Sequence, residues 1–131
     1  MEKISILLAD DNGALLADLQ GELGDEFRIA GTAEDGEGAV REALRLDPDI
    51  IVLDITMPGV NGLEVAARLR ELGPRTRIVF LTIHEEPEYV SAAFSAGAYG
   101  YVTKRRLGND LAHSIREVSA GRRFLSPTLR R

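Results

Sequence analysis

The sequence contains no cysteine, which excludes disulfide bonds, a thiol nucleophile and any metal site built on thiolates. Histidine is also scarce: His84 and His113 are the only two, and their separation argues against the short helical pair of a zinc site. No apolar run approaches the roughly 18 residues that a membrane-spanning helix requires. The first run, Ile4 to Ala9, is too short for a signal peptide. We therefore expect a cytoplasmic protein without membrane contact, and a length of 131 residues predicts one domain.

The net charge of −5 conceals two regions of opposite sign. Residues 1–103 carry 19 acidic and 8 basic side chains, whereas residues 104–131 carry 8 basic and 2 acidic ones. A largely acidic body is not typical of a nucleic-acid-binding domain, so the charge alone predicts no direct contact with DNA. The basic end is interpreted as a solvated helix face or as a docking surface for an acidic partner.

Apolar runs alternate with segments of helical periodicity along the chain. The pattern predicts five units, in each of which a strand is followed by a helix. Such an order is typical of an α/β fold with a parallel sheet, helices on both faces and right-handed crossovers. Asn109 is predicted to cap the last helix. The predicted strands are Ile4–Ala9, Phe27–Ala33, Ile50–Leu53, Ile78–Leu81 and Tyr99–Thr103.

The periodic pattern ends at Gly121, which is predicted to terminate the last helix. Residues 1–121 are therefore predicted to form the domain. Residues 122–131 include Ser126-Pro127 and are predicted to be a frayed end or the start of a linker.

Polar residues follow four of the predicted strands at the point where each strand ends. They are Asp10-Asp11, Asp54, Thr82 and Lys104. In an open parallel sheet the carboxyl ends of the strands lie along one edge, where ligands bind. The sequence therefore predicts three carboxylates, one hydroxyl and one ammonium group at a single site, a set that suits a divalent cation and a phosphoryl group.

The carboxylates predict a Mg²⁺ site. Mg²⁺ prefers oxygen ligands, keeps several waters and is held by one or two carboxylates together with a substrate phosphate. Asp11 and Asp54 are predicted to give one oxygen each, Asp10 to hold a coordinated water, and Thr56 to offer its backbone carbonyl. Taken alone, Asp10-Asp11 is equally typical of a helix N-terminus, but its coincidence with Asp54 favours the metal.

An aspartate beside a cation can act as a nucleophile and form an aspartyl-phosphate. Asp54 is the predicted nucleophile, with Mg²⁺ and the Lys104 ammonium taking up charge on the transferred group. The Thr82 hydroxyl is predicted to donate to a phosphoryl oxygen, although a threonine at a strand end is by itself usually structural.

Over essentially its whole length the chain resembles the receiver domain of two-component response regulators. The resemblance rests on Asp10-Asp11, on the loop Asp54-x-x-Met57-Pro58-x-x-x-Gly62, on Thr82, and on Gly100-Tyr101-Val102-Thr103-Lys104. It implies a doubly wound (βα)5 flavodoxin-like fold with a five-stranded parallel sheet in the order 2-1-3-4-5.

The same resemblance implies a function. Asp54 is expected to accept a phosphoryl group from a sensor histidine kinase, with Mg²⁺ at Asp11 and Asp54. Thr82 and Tyr101 are expected to rearrange on phosphorylation, although Tyr101 considered alone would be interpreted as a half-buried aromatic on an edge strand. The chain is expected to catalyse only its own phosphorylation and dephosphorylation, so it is not an enzyme with a separate substrate.

A subfamily is indicated by residues 88–90, 96–101 and 120–127, which resemble regulators of the NarL/FixJ type. That resemblance implies a linker and then a C-terminal DNA-binding domain that is absent from this chain, so DNA would be reached only through that domain. The predicted output is transcription regulation. The opposite charges of the body and the basic end also predict homodimerisation on phosphorylation.

Arg105 follows Lys104, where many receivers outside the NarL/FixJ subfamily have a proline in a cis peptide bond. The resemblance therefore does not fix the geometry of this loop, and Arg105-Arg106 either adds positive charge near the phosphate or is solvated. Thr56 and His84 stand at positions that flank the phosphoryl site in the family and tune the lifetime of the phosphate. His84 is equally well interpreted as an exposed loop residue.

Three other functions share features with this sequence. Mg²⁺-dependent phosphatases resembling haloacid dehalogenases have a second aspartate two residues after the nucleophile, where this chain has Thr56, and they need a cap domain for which no residues remain. A stand-alone receiver without an effector domain is a second alternative. A structural pseudo-receiver is the third, and the presence of all the chemical positions argues against it.

Overall fold

The structure, a computed structural model that describes residues 2–130, places the apolar runs in one parallel sheet with helices on both faces. The strands are β1 (Ser5–Ala9), β2 (Arg28–Ala33), β3 (Ile50–Leu53), β4 (Arg77–Thr82), β5 (Gly100–Thr103) and β6 (Phe124–Leu125). The helices are α1 (Gly13–Leu23), α2 (Gly36–Leu46), α3 (Gly62–Leu72), α4 (Pro87–Ser95) and α5 (Leu107–Ser119), and short 3-10 turns cover Lys104–Arg106 and Pro127–Leu129.

The strand order is β2-β1-β3-β4-β5-β6, and every neighbouring pair is parallel. The predicted order of the first five strands is confirmed. Ile50, Ile51 and Leu53 of β3 are completely buried because helices cover both faces of the sheet. This two-sided burial explains why the strands are near-continuous apolar runs.

Strand β6 was not predicted, because two residues are too few to show a periodic pattern. It lies in the segment predicted to be a frayed end or linker, and Phe124, which packs in the core formed by α1 and α5, is 6% exposed. Arg131, the last residue of that segment, lies outside the described residues. The position of a domain boundary or linker stays a prediction, but the sheet includes one strand, β6, after Gly121.

Alternating residues of the central strands pack into two separate cores, one on each face of the sheet. On one face Leu7, Ile51 and Phe80 pack against α2, α3 and α4. On the other face Ile6 and Val52, with their neighbours in the sheet, pack against α1 and α5. The sheet is therefore held from both sides, which keeps the carboxyl ends of its strands at a common edge.

Local signals at the helix ends explain most of the element boundaries. Asn12, Asp35 and Asn61 each accept a hydrogen bond from a backbone N–H in the first turn of α1, α2 and α3. The prediction that Asn109 caps the last helix is wrong. The 3-10 turn after β5 runs directly into α5, so that Arg106 occupies the capping position and Asn109 lies inside the first turn.

The loop after β3 folds back on itself at Gly62. The Gly62 N–H donates to the Ile55 carbonyl at 2.7 Å, and a Cβ at Gly62 would lie 2.1 Å from the Asp54 carbonyl oxygen. Glycine is required here because any side chain would collide with the backbone of the residue that opens the loop. This close approach holds the Asp54–Thr56 backbone against the start of α3.

The described helices are short, and the longest, α5, has 13 residues. None of them in residues 2–130 combines the length and the hydropathy that a membrane crossing requires.

Candidate functional site

The acidic residues predicted to meet at the sheet edge do meet there. Asp10 and Asp54 follow β1 and β3, and the Asp54 N–H donates to the Ala9 carbonyl at 3.0 Å, which aligns the ends of these two strands. One carboxylate oxygen from each of Asp10, Asp11 and Asp54 lies within 4.8 Å of the others. Asp10 and Asp54 are 4% and 6% exposed, whereas Asp11 is exposed to solvent.

Lys104 joins the two buried carboxylates. Its Nζ lies 2.8 Å from Oδ2 of Asp10 and 2.9 Å from Oδ2 of Asp54. Burial opposes the charge on the ammonium group, but its hydrogen bonds to Asp10 and Asp54 outweigh that effect and raise the pKa of Lys104. Lys104 is therefore a firmly protonated donor between the two carboxylates.

The carboxylate of Asp10 is partly desolvated at this site. Burial raises its pKa, and the hydrogen bonds from Lys104 and from the Asn12 N–H at 2.9 Å offset the rise only in part. A divalent cation would remove this cost by adding positive charge. The three carboxylates fit a hard cation such as Mg²⁺, because the exposed Asp11 leaves room for the waters that Mg²⁺ retains.

Thr82 and Tyr101 both contact the backbone of His84. Thr82 is completely buried at the end of β4, and its Oγ1 accepts a hydrogen bond of 3.4 Å from the His84 N–H. Tyr101 is also completely buried, and its hydroxyl donates to the His84 carbonyl at 2.7 Å. Tyr101 thus occupies an inward position, and burial raises its pKa so that the phenol stays protonated. It is not the half-buried aromatic of an edge strand, because β6 lies beside β5.

The side chain of His84 reaches the loop that follows Asp54. Its Nε2 lies 2.7 Å from Oγ1 of Thr56, and its ring stacks on Tyr89 with ring centroids 4.1 Å apart. His84 is therefore a bridge between the loops after β3 and β4, and not an exposed loop residue without contacts. The Thr56 N–H donates to Oδ1 of Asp54 at 3.4 Å, which places this bridge directly beside the candidate nucleophile.

Arg105 and Arg106 are engaged away from the acidic cluster. Arg105 forms a two-pronged ion pair with Glu85, with its Nη2 2.7 Å from Oε1, and Arg106 forms another with Asp110. No cis peptide bond occurs within residues 2–130. Lys104 therefore reaches Asp54 with a trans peptide bond between Lys104 and Arg105.

Sequence reasoning missed the partners Glu85, Tyr89, Asp110 and Ser126. Asp110 stands four residues after Arg106, a spacing at which ion pairs form on a helix, so that pair was readable from the sequence. Glu85 and Ser126 are 20 and 16 residues from the side chains that they contact, and no local pattern joins them.

A parallel α/β sheet with three carboxylates and a lysine at its carboxyl edge is the arrangement that the sequence predicted from its resemblance to receiver domains. A sequence profile of the response regulator receiver domain matches residues 6–116, and the chain belongs to that family. The predicted family and the flavodoxin-like receiver fold are thereby confirmed.

Known relatives place the chain near the NarL and LuxR-type regulators. It is 33% identical over 133 residues to the response regulator GacA of Pseudomonas aeruginosa, covering 96% of this chain and 60% of GacA. It is 36% identical over 130 residues to the nitrate/nitrite response regulator protein NarL of Escherichia coli, covering 98% of this chain and 60% of NarL. The chain thus spans about 60% of the length of these curated relatives.

A solved structure agrees with these relatives. The crystal structure of a LuxR-family two-component response regulator from Aurantimonas sp. SI85-9A1 superposes with a TM-score of 0.93 and 32% identity, covering 98% of this chain and 93% of that one. The prediction of a NarL/FixJ-type receiver is confirmed.

We expect Lys104→Met to destabilise the metal-free protein by about 3 kcal/mol at pH 7, because two buried carboxylates lose their common cation. The pKa of Asp10 is already raised in the folded state and would rise further without Lys104. Such a carboxyl binds its proton more tightly in the folded than in the unfolded protein, so the loss should shrink as the pH falls through the raised pKa. Urea unfolding at pH 7 and pH 5 measures this.

The matched control is Lys3→Met, which removes an exposed ammonium group far from the site in sequence. It should change the free energy of unfolding little at either pH. Equal losses in the two variants, or a loss for Lys104→Met that grows toward pH 5, would contradict the expected role of Lys104.

Proposed function

We propose that the chain is a phosphorylation-controlled switch in which Asp54 accepts a phosphoryl group from the phosphohistidine of a sensor histidine kinase. The observation that carries this proposal is the Lys104 ammonium, held between the buried carboxylates of Asp10 and Asp54 beside exposed Asp11. A carboxylate oxygen of Asp54 forms the new bond to phosphorus as the bond from phosphorus to the donor imidazole nitrogen breaks. The chain acts only on its own phosphoryl group and has no separate substrate.

The transfer needs positive charge at the transferred oxygens more than it needs covalent help. The residues that would hold Mg²⁺ are Asp11 and Asp54, with the backbone carbonyl of Thr56, while Asp10 would act through a coordinated water. When bound, the ion supplies charge neutralisation at the phosphoryl oxygens. Lys104 supplies the remaining cation from the protein, and it is already fixed within hydrogen-bonding distance of Asp54.

The switch would run through the backbone of His84. Thr82 contacts the His84 N–H and Tyr101 contacts the His84 carbonyl, so the two side chains hold opposite sides of one peptide segment. If the Thr82 hydroxyl turned to a phosphoryl oxygen, it would release its 3.4 Å contact with the His84 N–H. The His84 backbone could then move, and with it the carbonyl that accepts the hydrogen bond from Tyr101. The contact of Thr56 with the His84 ring flanks the same site, and we propose that it tunes the lifetime of the phosphate.

The output that we propose is transcription regulation through a C-terminal DNA-binding domain outside this chain, together with homodimerisation on phosphorylation. Family membership and the NarL and LuxR-type relatives support it. The opposite charges of residues 1–103 and 104–131 support homodimerisation less than the composition suggested. Arg105, Arg106, Arg116 and Arg122 are paired with acidic residues of the same chain, which lowers the charge available to a partner.

Asp54→Asn should abolish phosphorylation, because an amide oxygen cannot replace the carboxylate nucleophile. With acetyl phosphate and Mg²⁺, the wild-type chain should gain the mass of one phosphoryl group, as measured by intact-mass spectrometry. Asp49→Asn is the matched control, since Asp49 directly precedes the same strand at its opposite end and should leave uptake unchanged. Uptake by Asp54→Asn at the wild-type rate would refute the assignment.

Removal of Asp11 tests the metal. Asp11→Asn should cancel most of the rise in melting temperature that Mg²⁺ produces in the wild-type chain, because one of two proposed carboxylate ligands is lost. It should also relieve repulsion in the cluster, so the metal-free variant should melt at the wild-type temperature or above it. Asp18→Asn, on the exposed face of α1, should keep the full Mg²⁺ response. A full response in Asp11→Asn would exclude this ligand.

Dimerisation is tested by sedimentation velocity with and without beryllofluoride and Mg²⁺. We expect a monomer in the absence of the phosphoryl mimic and a dimer in its presence, and Asp54→Asn should stay monomeric in both conditions. A wild-type chain that sediments as a monomer at high concentration in both conditions would show that this chain does not dimerise by itself.

A further inference from the structure

The segment that contains β6 is hydrogen-bonded to the strand that delivers Lys104, although it lies beyond the family match at residues 6–116. The Phe124 N–H donates to the Tyr99 carbonyl at 2.9 Å, and the Ser126 N–H donates to the Tyr101 carbonyl at 3.0 Å. The next bond of the ladder is made by a side chain, since the Thr103 N–H donates to Oγ of Ser126 at 3.3 Å. Ser126 therefore binds the residue directly before Lys104.

The Ser126 hydroxyl also donates to Oδ2 of Asp110 at 2.8 Å. A serine hydroxyl can donate one hydrogen bond while it accepts another, so both contacts are made at once. Asp110 in turn accepts two hydrogen bonds from Arg106, from Nε at 3.0 Å and from Nη2 at 3.2 Å. Ser126 is completely buried and Asp110 is 5% exposed, so these bonds are shielded from water.

The four residues form a network around the 3-10 turn Lys104–Arg106. Thr103, on one side of Lys104, is held by Ser126, and Arg106, on the other side, is held by Asp110. Burial alone would raise the pKa of Asp110, but hydrogen bonds from Arg106 and Ser126 outweigh it and lower the pKa below its ordinary value. Asp110 is thus an ionised carboxylate whose hydrogen bonds from Arg106 and Ser126 hold the turn.

We propose that Ser126 and Asp110 are positioning residues for phosphoryl transfer, which hold the turn so that Lys104 reaches Asp54. The inference rests on the proposed function. Arg105, the residue after Lys104, pairs with Glu85 on the other side of the loop. The Ser126–Asp110 network holds the backbone on both sides of Lys104.

Any coupling between the docking of residues 124–129 and the phosphoryl site must act in both directions. If docking of residues 124–129 favours the position of Lys104 that is used in phosphoryl transfer, then occupation of Asp54 changes the stability of that docking by the same factor. A segment at this end of the chain would in that way sense the state of the site through Ser126.

The test compares the wild-type chain with Ser126→Ala, with Asp110→Asn and with the control Ser114→Ala. Ser114 is also a completely buried serine, on α5, but its Oγ has no hydrogen-bond partner within residues 2–130. Phosphorylation of Asp54 by acetyl phosphate is followed by intact mass at saturating Mg²⁺ over a range of donor concentrations. Melting temperatures establish that each variant is folded under the assay conditions.

We expect the donor-saturated rate to fall roughly tenfold in Ser126→Ala and in Asp110→Asn, because small displacements of a charged group are costly in an oriented transfer. The half-saturating donor concentration should change much less, and Ser114→Ala should match the wild type. Since the two residues act through one network, the double variant should lose little more than either single variant.

A wild-type donor-saturated rate in folded Ser126→Ala and Asp110→Asn would overturn the inference, even if both variants melt at a lower temperature. So would an equal loss in Ser114→Ala. Failure of the proposed function looks different, because the wild-type chain and Ser114→Ala would then take up no phosphoryl group at all, and the inference would fail with it.

Discussion

The contact of Lys104 with Asp10 and Asp54 is the constraint on which the rest of the site depends. Two carboxylates that are almost fully buried at the ends of adjacent strands repel each other, and each loses solvation. A single ammonium group within 3 Å of both offsets part of these costs. Lys104 therefore allows the sheet to bring the candidate nucleophile and the candidate metal ligands to one edge.

The compensation by Lys104 is incomplete at Asp10. Burial raises the pKa of Asp10, and the hydrogen bonds from Lys104 and from the Asn12 N–H offset the rise only in part. A divalent cation would add positive charge beside the three carboxylates, which fit a hard cation such as Mg²⁺. Under the proposed function, this cation and Lys104 would together stabilise the phosphoryl group on Asp54.

Lys104 also connects the site to β5, the strand that it follows. Its strand carries Tyr101, which touches the His84 backbone, and is paired with β6, whose neighbour Ser126 reaches the turn after β5. The loops after β3, β4 and β5 are linked to one another by side chains: Thr56 to His84 and Glu85 to Arg105. Contacts therefore connect the loops around Asp54 to one another and to the last strand.

The sequence by itself determined the strand–helix alternation, the parallel order implied by the family resemblance, and the identity of the polar residues at the strand ends. The alternation follows from the apolar runs of the strands and the 3.6-residue period of the helices, and the polar residues from the chemistry of single side chains. The strand order rested on the family resemblance. Only the tertiary structure decided that Arg105 pairs with Glu85, that His84 bridges to Thr56, and that β6 extends the sheet. These depend on contacts between residues distant in sequence, or on elements too short to carry a period, so no local pattern encodes them.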